Sequence, residues 1–274
     1  MALRRILVHL DASPRSAARA EAAAELARRH GAGLTGLFAI NSAEISHQGE
    51  LERRDVVTDL AQETLTVFRR CTEACAVSAT WRQAIGIEAE QVNAHVIMAA
   101  RHHDLSIVGQ NDPVRIEPSI PVNLVDQVVD RSGRPVLVIP FAGRFQALGQ
   151  RVIVAWNGSR EAARAVADAM PLLTIAKRVT VLRLEDTNGL IADADAEIAD
   201  FSEYLAAHGI APLHDRLNVA GSTIGISEAL LSYLVQEAAD LLVMGGGGAV
   251  RGRSRKSLTQ DILRQMTVPL MVSR

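Results

Sequence analysis

Aromatic residues are scarce in this 274-residue chain, where they make up 3% of the sequence. Proteins that bind single-stranded nucleic acid stack bases on aromatic side chains, so this composition argues against that class. An excess of one charge is also missing, because 29 Lys and Arg nearly balance 31 Asp and Glu. The chain as a whole is therefore not drawn to DNA or to an anionic membrane, and we expect neither as a partner.

Long hydrophobic runs are absent as well. No apolar run reaches the roughly 20 residues that a membrane-spanning helix needs. The first residues, MALRRILVHLD, enter a strand pattern at once, and their apolar part is too short for a signal peptide. We therefore expect a cytoplasmic protein, in which a disulfide between Cys71 and Cys75 would be unusual.

No set of residues with catalytic or metal-binding spacing stands out. None of the eight histidines lies at ligand spacing from a cysteine or a carboxylate, so we expect no metal site. Ser227, in Gly-Ile-Ser-Glu-Ala, matches the nucleophile elbow only in part, and helix capping explains it more simply. We therefore expect a protein that is not an enzyme.

The sequence contains an internal repeat. Three segments of the first half recur in the same order in the second half. The pairs are RILVHLDAS at Arg5 with RVIVAWNGS at Arg151, RSAARA at Arg15 with REAARA at Arg160, and DLSIVG at Asp104 with DLLVMG at Asp240. The repeat predicts two tandem domains, residues 1–142 and 150–274, joined by a glycine-containing linker near residues 141–150.

Each half alternates short apolar runs with amphipathic segments. Runs such as ILV, VIV, LLVM and VLVI lack the polar alternation of half-exposed strands, which is typical of strands buried on both faces of a parallel sheet. In the first half, the third strand is predicted at 79–83 and the last helix at 121–130. This alternation predicts an α/β fold with two Rossmann-like domains and helices on both faces of each sheet. In such sheets ligands bind at the carboxyl ends of the strands.

A glycine-rich loop follows the fourth strand of the second half. Four glycines, 245–248, come directly after Met244, and a basic loop leads to the last helix. Glycine lets the backbone approach a ligand closely, and a helix start attracts anions, so a phosphate suits this loop. The stretch matches neither GxxxxGK[ST] nor GxGxxG, and a flexible loop with solvated charges is the alternative.

The strand ends of the second half are predicted to meet in one crevice with this loop. Trp156 is expected either to form a wall of the binding pocket or to pack in a core or interface. The predicted binding residues are Trp156, Asn157, Gly158 and Ser159 after the first strand, Val219 and Gly221 after the third, Met244, Gly245 and Gly248 at the fourth, and Lys256, Ser257, Leu258 and Thr259 at the last helix.

These motifs resemble those of the universal stress protein family. The matching features are a first strand that ends in an Asp/Asn-x-Ser turn, a glycine step after the third strand, and a Met-Gly-x-x-Gly loop before a final Pro-led strand. The resemblance covers the whole chain as a tandem pair. It implies five parallel strands in the order 3-2-1-4-5 in each domain. It also implies ATP or another adenine nucleotide, with or without magnesium, as the ligand of members that keep the pattern G-x2-G-x9-G-[S/T].

The chain departs from that pattern in both halves. Nine residues after Gly248 stand Leu258 and Thr259 rather than Gly-[S/T], and an alignment on the helix start puts Lys256 there after a loop two residues shorter. Asn157 replaces the usual aspartate. The first half keeps Asp11 but has a single glycine and an acidic residue at 109–113, and it resembles a degenerate copy.

Three functions remain open at this stage. The first is a stress protein that binds an adenine nucleotide in its second domain with little or no hydrolysis, weak ATPase activity being left open, where the Lys256 ammonium compensates in part for the lost glycine. The second is an interaction scaffold of the same family that binds no nucleotide and has no cofactor. The third is an enzyme on the same α/β scaffold, for which the sequence offers no catalytic set. The resemblance further implies that the final strands, near 135–139 and 269–273, pair edge to edge as an intramolecular pseudo-dimer. A homodimer of the chain also remains open.

Overall fold

The structure, a computed structural model, describes residues 2–45, 49–112, 117–145, 147–185, 194–219, 225–246 and 258–274. The chain divides into two compact units, residues 2–146 and 147–274, which we call the first and second domains. This division falls inside the segment 141–150, where the sequence predicts the linker. None of the helices in the described ranges combines the length and the apolar character needed to cross a membrane.

Within its described residues, the first domain has five strands, four α-helices and a short 3-10 helix at Ser42–Glu44. In chain order the elements are β1 (Arg5–Leu10), α1 (Ser16–His30), β2 (Gly33–Asn41), α2 (Glu50–Ala74), β3 (Ala79–Gly86), α3 (Ala89–Ala100), β4 (Leu105–Gly109), α4 (Leu124–Arg131) and β5 (Val136–Ile139). All pairings are parallel and the sheet order is β3-β2-β1-β4-β5. The predicted order 3-2-1-4-5 is confirmed.

The helices of the first domain lie on both faces of its sheet. Because parallel crossovers are right-handed, α1 and α2 cover one face as the chain moves from β1 to β3. The chain then returns to β4 and β5, so α3 and α4 cover the opposite face. The contacts agree with this assignment, since α1 packs against α2 and α3 packs against α4.

The second domain repeats this arrangement in its described residues. Its elements are β6 (Arg151–Trp156), α5 (Arg160–Leu173), β7 (Arg178–Glu185), α6 (Ala194–Ala207), β8 (Leu213–Asn218), α7 (Ile226–Gln236), β9 (Leu241–Gly245), α8 (Leu258–Gln265) and β10 (Leu270–Ser273). All pairings are again parallel, in the order β8-β7-β6-β9-β10. Counted from its own first strand, this order is also 3-2-1-4-5.

The central strands carry the core of each domain. Ile6, Leu7 and Val8 of β1 are fully buried, and so is Val152 of β6, as their unbroken apolar runs predict. In both domains the strand order reverses beside the first strand, between β1 and β4 and between β6 and β9. Ligands of doubly wound sheets bind at that point, outside the carboxyl ends of the strands.

Candidate functional site

A cavity of about 260 Å³ opens in the first domain where β1 and β4 end. Its polar walls include Asp11 after β1, Gly109 and Gln110 at the end of β4, and Arg15 and Arg19 at the start of α1. Its apolar walls come from Ile120, Val122, Leu124 and Phe141. The crevice of this domain, which the sequence predicts to be a degenerate copy, therefore has a defined shape.

A buried ion pair lines this cavity. Asp11 and Arg19 are each 4% exposed, and Nη2 of Arg19 pairs with Oδ2 of Asp11. Nε of Arg19 donates to the carbonyl oxygen of His9 at 3.2 Å. Oδ1 of Asp11 accepts from the N–H of Ser13 at 2.8 Å and from the hydroxyl of Ser16 at 3.1 Å. Both charges are thus compensated inside the protein, which a buried charge requires.

Burial and charge act in opposite directions on Asp11. Burial by itself raises the pKa of Asp11, but the Arg19 guanidinium, His9 and the hydrogen bonds from Ser13 outweigh it and hold the pKa below the ordinary 3.8. Burial also lowers the pKa of His9 below the ordinary 6.5; Asp11 opposes this shift and Arg19 adds to it. At neutral pH, therefore, Asp11 is charged and His9 is neutral.

The Arg19 side chain lies directly against the end of β4. A Cβ added to Gly109 would come within 3.0 Å of Cζ and 3.2 Å of Cδ of Arg19. The guanidinium thus occupies space beside the strand end, where the ligand of a doubly wound sheet would otherwise lie.

The end of the first strand in the second domain has the same turn as in the first domain, but an uncharged Asn157 replaces the aspartate. Oδ1 of Asn157 accepts from the N–H of Ser159 at 3.2 Å. In the first domain Oδ1 of Asp11 makes the equivalent bond, to the N–H of the residue two positions later. The Ser159 hydroxyl oxygen accepts from the N–H of Ala162 at 3.1 Å and caps α5. Gly158 between them has φ of +68°, a conformation that favours glycine.

Gly245 ends β9 in close contact with the first turn of α5. A Cβ at this position would lie 2.6 Å from the carbonyl carbon of Glu161 and 2.7 Å from the nitrogen of Ala162. The hydroxyl of Thr259, in the first turn of α8, donates to the carbonyl oxygen of Gly245 at 3.4 Å. The structure thus brings together the end of β9 and the starts of α5 and α8.

Trp156, the last residue of β6, packs against α6. It is 8% exposed and stacks on Phe201, with ring centroids 3.9 Å apart and ring planes 5° apart. Its Nε1–H donates to Oε1 of Glu197 at 3.2 Å. Residues 197 and 201 lie one helical turn apart, so one face of α6 makes both contacts. These contacts favour a packing role for Trp156.

The other predicted site residues are spread over the domain. Met244 is buried in β9, and Leu258 is half-buried at the start of α8. Val219 follows β8, which β7 separates from β6. The remaining four lie outside the described residues: Gly221, Gly248, Lys256 and Ser257.

The structural alignment of the two domains differs in the first helix from the alignment of the repeated sequence motifs. Ile6 of β1 pairs with Leu105, and Val152 of β6 pairs with Leu241, so Ile6 and Val152 are equivalent. When this register is continued without a gap from the first strand into the following helix, it aligns α1 with α5. That alignment differs by one residue from the match of RSAARA with REAARA. The burial patterns of the two helices coincide in the structural register, which supports it over the letter match.

This register identifies the counterpart of Arg19. The equivalent residue is Ala165, which is fully buried. Arg164, which the letter match pairs with Arg19, instead has a half-exposed side chain and forms a surface ion pair with Asp168. The second domain therefore has a small residue where the first has a buried guanidinium.

The described residues contain no group of three or more His, Cys, Asp or Glu side chains placed to hold a metal ion. A serine and a histidine do meet in the second domain, where Oγ of Ser202 lies 2.9 Å from Nε2 of His214. The Ser202 hydroxyl, however, donates to the carbonyl oxygen of Ile198 at 2.5 Å, so His214 must be the donor to Ser202. In this arrangement His214 cannot take the proton that a nucleophilic serine gives up.

Two tandem doubly wound domains, in each of which the strand order reverses beside the first strand, define this protein as an α/β protein of Rossmann-like type. The fold is that of the universal stress proteins. A universal stress protein from Archaeoglobus fulgidus DSM 4304 superposes with a TM-score of 0.74 at 19% identity, over 98% of each chain. A Pseudomonas aeruginosa UCBPP-PA14 protein described as a universal stress protein superposes with a TM-score of 0.62 at 15% identity, over 99% of this chain and 93% of that one.

A protein of unknown function from Pseudomonas aeruginosa PAO1 has the same TM-score and identity, over 99% of this chain and 92% of that one. No protein-family model and no curated protein matches the sequence. The resemblance predicted from the motifs is therefore confirmed at the level of the fold.

Proposed function

We propose that this chain is a tandem universal stress protein that binds one adenine nucleotide, ATP, in its second domain with little or no hydrolysis. The observation that carries the proposal is the contact of Gly245 with the first turn of α5. It brings the glycine-rich strand end to the helix start, where free N–H groups and the helix dipole favour a phosphate. Thr259 joins the last helix to the same point through its bond to Gly245.

The choice of the second domain rests on the contrast between the two crevices. In the first domain Arg19 lies against Gly109, and its charge is already used by Asp11. In the second domain the equivalent position is Ala165, and Asn157 takes the place of the aspartate. A nucleotide that approached Gly109 as closely as the proposed phosphate site approaches Gly245 would have to move this buried ion pair, which costs several kcal/mol.

The residues of the second crevice have distinct proposed tasks. The 245–248 backbone, Lys256, Ser257 and the start of α8 would receive the phosphates, and Gly158 and Asn157 would receive the nucleoside. Magnesium would enter with ATP on the phosphate oxygens, because this ion prefers oxygen ligands and keeps part of its water shell. Among the described residues around this crevice we find no nucleophile paired with a general base, and we therefore expect these contacts to hold ATP with little or no hydrolysis.

Thermal unfolding tests this proposal first. A ligand that binds only the folded protein raises the midpoint by mass action, so ATP at one hundred times its Kd should add about 2.7 kcal/mol of stability. We expect ATP and adenosine to raise the midpoint and inorganic phosphate alone to have a much smaller effect. No shift with ATP at millimolar concentration would contradict the proposal.

One observation favours the second candidate, an interaction scaffold without nucleotide. Trp156 presents its ring face to Phe201 and its N–H to Glu197, so neither is offered to an adenine ring. The same thermal experiment separates the two functions, because a scaffold of this kind would show no shift with any nucleotide.

A further inference from the structure

The acidic group at the second-domain crevice comes from a helix rather than from the first strand. Asn157, at the position of Asp11, has no charge and uses Oδ1 in the turn to Ser159. Glu197, in the first part of α6, brings a carboxylate to the same place. A Cβ added to Gly158 would come within 3.0 Å of Cδ of Glu197.

Two contacts hold the Glu197 side chain in this position. Oε1 accepts from Nε1–H of Trp156 at 3.2 Å. One turn further along α6, Phe201 stacks on the same indole at 3.9 Å and fixes the helix against the end of β6. A side chain whose rotamer is set by such packing is pre-organised to bind, because less conformational entropy is lost when the ligand arrives.

The second carboxylate oxygen remains available. Within the described part of the chain, Oε2 of Glu197 accepts no hydrogen bond, and the residue is half-buried. The matching carboxylate of the first domain, on Asp11, is instead committed to Arg19. Ala165 stands at the position of that arginine in the second domain, so this position supplies no cation to Glu197.

We infer that Glu197 is the residue that accepts the ribose hydroxyls of the nucleoside bound in the second domain. A carboxylate is an acceptor only, and its two oxygens suit the paired hydroxyls of a ribose. In doubly wound folds, an acidic side chain near the second strand serves ribose in this way, and α6 directly follows β7, the second strand of its domain. The assignment rests on the proposed function and names a residue that discriminates between sugars.

The test compares adenosine with its 2′-deoxy and 3′-deoxy forms on the full chain. A hydrogen bond to a charged acceptor is worth about ten- to hundredfold in affinity, so the parent should bind adenosine at least tenfold more tightly than either deoxynucleoside. Glu197→Gln keeps an oxygen for the Trp156 N–H and removes the charge. It should weaken adenosine by about tenfold and each deoxynucleoside by less, because each of these still offers one hydroxyl to Glu197, so the preference of the protein for adenosine should shrink. Glu203→Gln, on an exposed part of α6, is the matched control and should keep the parent ratio.

The outcomes separate the assignment from the function on which it rests. If the parent binds adenosine and Glu197→Gln leaves the ratio unchanged, the assignment is wrong and the proposed function stands. If Glu197→Gln instead alters only the preference for adenosine over inosine, Glu197 contacts the base and the assignment is again wrong. If the parent binds neither ATP nor adenosine, the proposed function is wrong, and so is the assignment that rests on it. Native tryptophan fluorescence of Glu197→Gln checks that the packing around Trp156 survives.

Discussion

Replacing Arg19 with alanine is expected to lower the free energy of unfolding by about 3–5 kcal/mol. The substitution leaves the Asp11 carboxylate buried at 4% exposure without its cationic partner. It also removes the bond from Nε of Arg19 to the His9 carbonyl oxygen. Urea denaturation at neutral pH measures the change directly, since the midpoint moves while the slope stays constant if unfolding remains two-state.

The pH dependence of this loss identifies its cause. In the parent the pKa of Asp11 is held below 3.8, so the pair contributes its stability above the unfolded pKa and loses it only as pH falls through the lower folded value. Without Arg19, burial raises the pKa of Asp11, and protonation relieves the buried charge as the pH falls from neutral. The difference in the free energy of unfolding between the parent and Arg19→Ala should therefore become smaller as the pH is lowered.

Two further variants serve as controls for this prediction. Arg164→Ala removes an arginine from a half-exposed surface pair and should cost less than about 1 kcal/mol. The double variant Asp11→Asn with Arg19→Ala reproduces the uncharged pair Asn157 and Ala165 of the second domain, and it should recover much of the lost stability. If Arg19→Ala costs no more than Arg164→Ala, the buried pair does not have the role that we assign to it.

Replacing Gly245 with alanine is expected to weaken ATP binding by more than tenfold. The new Cβ would lie 2.6 Å from the carbonyl carbon of Glu161, and that atom is backbone and cannot rotate away. Either the end of β9 or the start of α5 must shift, at a cost of about 1–3 kcal/mol in stability. Both elements border the proposed phosphate site, so calorimetric titration with ATP reports the shift as lost affinity.

Gly33→Ala is the matched control for a strand glycine. At Gly33 the nearest atoms to an added Cβ, the carbonyl oxygens of Arg4 and Ser78, lie at 3.8 Å, an ordinary contact distance. This variant should keep both ATP affinity and stability close to those of the parent. Equal ATP affinity in Gly245→Ala and Gly33→Ala would contradict the placement of the site.

The fold follows closely from the sequence because its signals are local. Continuous apolar runs mark β1, β4, β6 and β9, and each of these strands is buried in the structure as parallel strands require. The repeat predicts that both domains have the same topology, and both sheets share one strand order.

The boundaries of the elements are less predictable where tertiary contacts decide them. β3 runs to Gly86, beyond the predicted 79–83, because its ladder with β2 continues to Asn41, although most of its residues are exposed. α4 begins at Leu124, later than the predicted 121–130. The N–H of Leu124 donates to the carbonyl oxygen of Pro121 at 3.0 Å, so a turn precedes the helix.

The two charged residues of the crevices could not be assigned from sequence motifs. Arg19 lies on the same helix face as Ala23 and Ala27, and this spacing on a buried stripe is the one signal that could have revealed it. Glu197 gives no such signal, because its contact with Trp156 joins residues 41 positions apart in the chain. In both cases the role depends on an interaction between separate elements of the fold.

The number of nucleotide sites per chain tests the central claim most directly. Calorimetric titration of the full chain with ATP should give one site per chain, because Arg19 lies against Gly109 and pairs with Asp11 in the first crevice, whereas the second domain has Ala165 at the equivalent position. The same titration of Gly245→Ala should show that site lost or strongly weakened. Two sites per chain, or one site that survives Gly245→Ala and disappears with a substitution in the first crevice, would contradict the account.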